Sequence, residues 1–389
     1  VLFEKLLGIQ TISARKQLYL WGDNSQGELG NGTVVSASSP QHLGTNSWSQ
    51  ASAGGSFTLA IKSDSTLWAW GNNTYGQLGT SQNIYVGTAS SPVAVTTSTS
   101  WILVSTTQNS TTTLAIKSDG TLWGWGYNLY GQVGNFSTVT PVSSPVLVSG
   151  PAGASWTTVS SGALHALGIT TTGQLYAWGY NAAGALGNLS TVTVSSPVLV
   201  SGPAGASWTS ISAGTNFSHG ITTTGRLYGW GLNTSGQAGI ATIVSVSSPI
   251  LVSGPAATSW AAVSDGQLHA VGLTSAGRLY AWGSNGSGQV GNNNTAPVSS
   301  PVLVSGPAGA SWAIISSGSV FSMAIATTGV LYGWGQNTIG QVGNNSTATA
   351  VSSPVLVSGP TGASWSAVSA GASFTLALTT SGLLYAWGD

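Results

Sequence analysis

Apolar and polar positions in this chain alternate over short stretches that end in glycine, with no sustained helical period. In one unit, Ser155–Gly162 alternates and stops at a glycine, and His165–Ile169 follows as a second apolar stretch. Thr171-Thr172-Gly173 is a hairpin turn signal, and Leu175-Tyr176-Ala177-Trp178-Gly179 is a third, aromatic stretch of period two. Asn181, Gly184 and Gly187 punctuate a loop. Ser195–Val200 then reads as a fourth strand, with Pro197 near its start, where a missing N–H is tolerated. Four short antiparallel strands in about 52 residues predict one blade of a β-propeller.

The unit recurs. Trp-Gly occurs at Trp21, Trp70, Trp125, Trp178, Trp230, Trp282, Trp334 and Trp387, with gaps of 49, 55, 53, 52, 52, 52 and 53 residues. Three residues beyond the first seven Trp stands an Asn (Asn24, Asn128 and Asn233, for example), and glycines stand six and nine residues beyond. Asn and Gly accept positive φ at low cost, so the spacing predicts one tight loop built seven times. The residue before Trp is Ala or Gly except at Leu20, and a small side chain there is expected to let a neighbouring sheet approach. Eight Trp-Gly strands against seven Ser-Ser-Pro strands leave seven blades, or eight with one incomplete; seven is the expectation. Residues 1–16 read as an N-terminal segment, a partial extra repeat or an anchor, because Lys5–Ile9 resembles Ala166–Ile169. Residues 17–389 read as the propeller.

Composition narrows the function. Only 4% of the 389 residues are charged, the net charge is zero, and no acidic or basic side chain lies between Asp119 and Arg226. Ordinary domains carry about a quarter charged residues. Disorder goes with few apolar residues, whereas 41% here are hydrophobic and 17 are Trp, so the chain is expected to fold. Seven scattered Lys and Arg are no phosphate-binding surface, which argues against nucleic acid. No apolar run is long enough for a membrane span. Cysteine is absent, which removes disulfides and thiolate metal sites. The chain starts at Val1, as a processed chain or part of a longer one would. A neutral surface favours association, so a place in a larger assembly is one expectation.

The motif Gly-x-Leu-Tyr-x-Trp-Gly-x-Asn-x-x-Gly-Gln-x-Gly, in the form it takes from Gly120 to Gly134, resembles the repeat of the regulator of chromosome condensation superfamily. The resemblance covers about residues 17–389. It implies an all-β, seven-bladed β-propeller of four-stranded antiparallel blades, closed by strands from both termini. Members of the superfamily include guanine-nucleotide exchange factors, ubiquitin-ligase modules, and secreted bacterial and phage-encoded proteins. The exchange factors use charged loops and basic segments that this chain lacks, so that activity is not carried over. Its bland repeats are most similar to the bacterial and phage-encoded members.

Several residues invite a chemical reading. His165 and His269 stand where other repeats have Phe57, Phe217, Phe321 and Phe374, which points to packing; His219 lies two residues on, and His42 is isolated. Arg226 and Arg278 follow turn glycines and read as solvated. Asp64 and Asp119 sit in Lys-Ser-Asp turns, and Asp265 has no carboxylate partner in its repeat. No pair of carboxylates is spaced for acid–base work. Tyr75 and Tyr130 are equivalent loop positions, as are Tyr127 and Tyr180, and exposed tyrosines there would suit a sugar or a protein partner. Sequons such as Asn31, Asn135, Asn188 and Asn233 bear weight only in a glycosylating pathway. The expectation is a non-enzymatic structural, adhesion or protein-binding propeller without catalytic residues, cofactor or metal, displayed on a virion or outside the cell. Its partners would be proteins of a larger assembly, and a surface glycan is the alternative.

Overall fold

The computed structural model describes residues 18–22, 24–43, 46–81, 87–106, 110–255, 258–347, 350–360, 362–381 and 384–388. Segment 1–16, with Lys5–Ile9, lies outside them. The described residues form strands and turns, with no helix among them. The strands are β1 (Tyr19–Gly22) and β2 (Ala37–His42); β3–β6 (Trp48–Ala53, Phe57–Lys62, Leu67–Asn72, Thr88–Ala94); and β7–β10 (Trp101–Ser105, Thr112–Lys117, Leu122–Gly126, Val142–Leu147). They continue as β11–β14 (Trp156–Ser161, His165–Thr170, Leu175–Gly179, Val194–Leu199) and β15–β18 (Trp208–Ala213, Phe217–Thr222, Leu227–Gly231, Val246–Leu251). The remainder are β19–β22 (Trp260–Asp265, His269–Thr274, Leu279–Gly283, Val298–Leu303), β23–β26 (Trp312–Ser317, Phe321–Ala326, Leu331–Gln336, Ala350–Leu356) and β27–β29 (Trp365–Ala370, Phe374–Thr379, Leu384–Gly388).

Each run of four is one antiparallel meander with strands in chain order. The fold class is the expected one: all-β, with the four-stranded antiparallel blades of a seven-bladed propeller. The two ends of the chain form shorter sheets, β1–β2 and β27–β28–β29, so the described strands are one more than seven blades need. The surplus is the eighth Trp-Gly strand. The chain divides into two compact units, one holding β1–β14 and the other holding β15–β29 together with residues 182–191 of the β13–β14 loop.

Within a blade the strands differ in kind. The second and third are buried throughout in blades such as β11–β14. The fourth is half-buried and pairs loosely: Tyr176 meets Leu199 and Gly179 meets Val194, with a bulge between. Pro197 falls in that bulge, where no ladder N–H is required.

Blade-to-blade contacts inside each unit explain the repeat motif. Six of the Trp of Trp-Gly (Trp70, Trp125, Trp178, Trp230, Trp282 and Trp334) are fully buried. Each indole Nε1 donates to a carbonyl in the Trp-Gly loop of the preceding repeat, as Trp125 does to Gln77 at 2.9 Å and Trp334 to Gln289 at 2.9 Å. Trp387, part-buried, does the same to Gln341 at 2.9 Å. The side chain of Trp21 lies outside the described residues. Gly79 shows why the ninth residue after Trp is glycine: φ is +70°, and a Cβ there would lie 2.6 Å from the Trp125 indole.

A second device lies on the first strand, where the fourth residue after its Trp is always Ser. Its hydroxyl accepts the N–H of the equivalent strand in the next blade: Ser52 from Thr106 at 3.1 Å, Ser212 from Asp265 at 2.9 Å, Ser264 from Ser317 at 3.0 Å and Ser316 from Ala370 at 2.8 Å.

Two expectations need correction. The recurrent Asn does not serve positive φ, because none of these asparagines adopts it. It is a buried clamp: Asn128 Oδ1 accepts from Val133 N at 2.9 Å, and Nδ2 donates to the Ser137 carbonyl at 3.0 Å. The small residue before Trp makes room for the blade's own loop rather than a neighbouring sheet. A Cβ on Gly124 would sit 2.7 Å from the Val133 carbonyl oxygen, and one on Gly333 would sit 2.8 Å from that of Val342.

Candidate functional site

The four tyrosines singled out from the sequence come together. Ring centroids of Tyr75 and Tyr127 are 5.1 Å apart, those of Tyr127 and Tyr130 are 6.5 Å apart, and those of Tyr130 and Tyr180 are 4.9 Å apart, each edge to face. They form one row across three successive blades of the first unit. Offset and edge-on ring pairs are the favoured arrangement for aromatic quadrupoles.

The loops dictate this row. Tyr127 and Tyr180 directly follow the Gly of Trp-Gly, and their N–H groups donate to the Thr111 carbonyl at 3.1 Å and the Leu164 carbonyl at 2.9 Å. Tyr75 and Tyr130 sit in the following turn, where Gln77 and Gln132 accept their N–H groups at 2.8 and 2.9 Å. The fifth residue after Trp in one repeat thus meets the second residue after Trp in the next. In the preceding pair the same contact is polar, with Asn72 Nδ2 donating to Gln26 Oε1 at 3.0 Å. Tyr75 is exposed, the other three are partly so, and Leu129 beside Tyr130 is exposed. Partial burial, then the nearby Tyr130 and Tyr75, raise the Tyr127 phenol above its usual pKa. No formal charge lies from residue 120 to 225, so the repeats of Tyr127, Tyr130 and Tyr180 offer apolar and hydrogen-bonding contacts there.

The other candidates fall elsewhere. His165 and His269 are buried in the core, where burial depresses both to about 4. His269 Nε2 lies 2.9 Å from Ser322 Oγ. Arg226 and Arg278 are exposed turn residues. Asp64 and Asp119 bind the Thr66 and Thr121 hydroxyls at 2.6 Å, and those hydrogen bonds lower their pKa values. Lys62 lies over Trp68 at 3.5 Å and Lys117 over Trp123 at 4.2 Å. The asparagine of the Asn233 sequon is wholly buried, and its amide is spent on the Thr242 and Val244 carbonyls. His42 lies on β2. No cluster of metal-binding side chains occurs among the described residues.

One pairing escaped the sequence reading. His219 Nδ1 lies 2.7 Å from Asp265 Oδ1, with both side chains fully buried. The residues are 46 apart and on different repeats, so no local motif exposes them.

Repeated four-stranded blades locked by Trp-Gly loops define a β-propeller, and three successive blades of its first unit carry an aromatic row. The chain belongs to the RCC1-like domain family: that description matches residues 141–389, and the regulator of chromosome condensation (RCC1) repeat matches 17–61 and 64–114. Among curated relatives, the ultraviolet-B receptor UVR8 of Arabidopsis thaliana is 28% identical over 287 residues, which is 74% of this chain and 65% of UVR8. The human E3 ubiquitin-protein ligase HERC2 is 28% identical over 71% of this chain but only 6% of its own length. The chain thus spans less than two thirds of either relative. Among solved structures, Prp20p of Saccharomyces cerevisiae, described with its binding to Gsp1p and histones, has a TM-score of 0.78 at 20% identity, covering 94% of this chain and 92% of that one.

Proposed function

We propose that this chain is a non-enzymatic recognition propeller that binds a protein partner through the row Tyr75, Tyr127, Tyr130 and Tyr180. The observation that carries this reading is the meeting of four tyrosines from three repeats in one partly exposed line. Tyrosine supplies large, stiff contact area at low entropy cost and is enriched among interface hot spots. The family supports it, since Prp20p is described as binding proteins. A neutral row suits a partner docked by shape and hydrogen bonds rather than by charge. Display on a virion or outside the cell is part of the proposal and rests on the charge-poor composition. Imaging of the native particle or of the secreted fraction tests it.

A glycan is the second reading, because aromatic rings flanked by hydroxyl and amide groups also suit a neutral sugar. One variant set tests both. Replacing all four tyrosines with Ala is expected to leave the thermal melt of the blades within a few degrees. It is expected to weaken a photo-crosslinked partner of the native source at least tenfold. Full retention of the partner removes the row as the contact surface. Loss of glycan-array binding, with no protein partner affected, selects the sugar.

A further inference from the structure

Near-identical repeats create an assembly problem. The segment Val-Ser-Ser-Pro-Val-Leu-Val-Ser-Gly-Pro-Ala-Gly-Ala-Ser-Trp stands unchanged at 142–156, 194–208 and 298–312. Blade interfaces inside the second unit repeat the same contacts. Trp282 Nε1 donates to the Gln237 carbonyl at 2.9 Å, and Trp334 Nε1 donates to that of Gln289 at 2.9 Å. A blade offered the wrong neighbour, from its own chain or from another, meets nearly the same surface. Misassembly and strand exchange are the characteristic failures of repeat proteins.

One interface is marked. Where β16 packs on β19, the buried imidazole of His219 meets the buried carboxylate of Asp265 at 2.7 Å. In the other repeats the position of His219 holds an aliphatic residue, such as Leu167, Val271 or Met323. The position of Asp265 holds a small one, such as Ala213 or Ser317. His219 Nε2 and Asp265 Oδ2 find no further partner among the described residues, so the pair is a costly way to fill the space. An aliphatic residue against serine would fill it as the other repeats do.

We infer that His219 and Asp265 form a docking key, which fixes β15–β18 against β19–β22 and penalises every other partner for those two faces. Any wrong partner for β19 buries the Asp265 carboxylate against an aliphatic side chain. Any wrong partner for β16 buries the His219 imidazole against alanine, serine or threonine. Stranding a buried charge shifts a docking equilibrium by roughly a hundredfold or more. Polar pairs that cost stability but set register are the best-attested use of buried ionic groups.

The test is refolding from denaturant of the full chain, with size-exclusion chromatography and light scattering as the readout over a range of protein concentrations. Asp265→Ser alone is expected to melt lower, because it leaves His219 unpaired. His219→Leu with Asp265→Ser installs the residues of the other repeats and is expected to melt at or above the wild-type temperature. That double variant should nevertheless recover several-fold less of the native species, with exchanged multimers rising with concentration. The reversed pair, His219→Asp with Asp265→His, should restore recovery. Wild-type recovery by the double variant overturns the inference. So does a double variant that melts far below wild type, because the pair would then be an ordinary stabilising contact.

Discussion

His165 and His269 occupy a position that other repeats give to Phe, and the alternation alone identified them as packing residues. Their chemistry follows from that. Burial holds both near 4 in the folded chain, against about 6.5 when unfolded. Between those values the unfolded chain binds protons that the folded chain refuses, so stability is full above about pH 6.5 and falls as pH drops towards 4. The expected loss by pH 4.5 is roughly 2 to 3 kcal/mol for each histidine, measured by urea unfolding at pH 7 and 4.5. A variant with Phe at both positions should flatten that part of the profile. Asp265 marks the limit of such reading. Its acidity was visible in the sequence, but its partner lies 46 residues away on another blade, and only packing brings them together.

At the scale of the element, the Trp-Gly loop was legible because its constraints are local. Strand and turn positions within the repeat came close to the observed ones: the expected Leu175–Gly179 is β13, and the expected Ser195–Val200 is β14 displaced by one residue. The purpose of individual residues was less legible, since a buried Asn clamp and an Asn in a turn write the same letter. The loop also varies in a way that makes a graded prediction. The carbonyl of Gln77 accepts from Trp125 Nε1 at 2.9 Å and from Thr113 Oγ1 at 3.0 Å. In the next repeat Ala166 replaces that hydroxyl residue, and Trp178 Nε1 donates to Gln132 O at 2.9 Å without it. Trp125→Phe therefore leaves its carbonyl one donor, and Trp178→Phe removes the indole donor with no hydroxyl behind it. A buried acceptor stripped of its partner costs about 1 to 3 kcal/mol. Trp178→Phe is accordingly expected to destabilise by roughly 1 to 2 kcal/mol more than Trp125→Phe, read from paired denaturant titrations. Equal losses would show that the hydroxyl contributes nothing.

For the molecule as a whole, the governing fact is charge poverty, and it was plain from composition. Composition could not say where the uncharged surface would be concentrated. The fourth strand is the edge of each four-stranded blade, and in five of the six it carries an exposed leucine: Leu147, Leu199, Leu251, Leu303 and Leu356 are each at least half exposed, while β6 has Ala94 at that place. Sheet edges are usually blunted with charge or proline. Here proline does that work alone, two residues earlier, as Pro145 and Pro301 show. With zero net charge nothing keeps copies apart, so self-association through these edges is expected to limit solubility near neutral pH. Leu147→Lys with Leu303→Lys places one cation on each compact unit. The substitutions fall on exposed side chains, so stability should shift by less than about 0.5 kcal/mol for each. The saturating concentration in precipitant should rise several-fold, most at low salt, where like charges repel over the longest range. A large fall in melting temperature would instead mean that these leucines are covered in the working assembly. An unchanged saturating concentration would place the sticky surface elsewhere, with the tyrosine row the next to test.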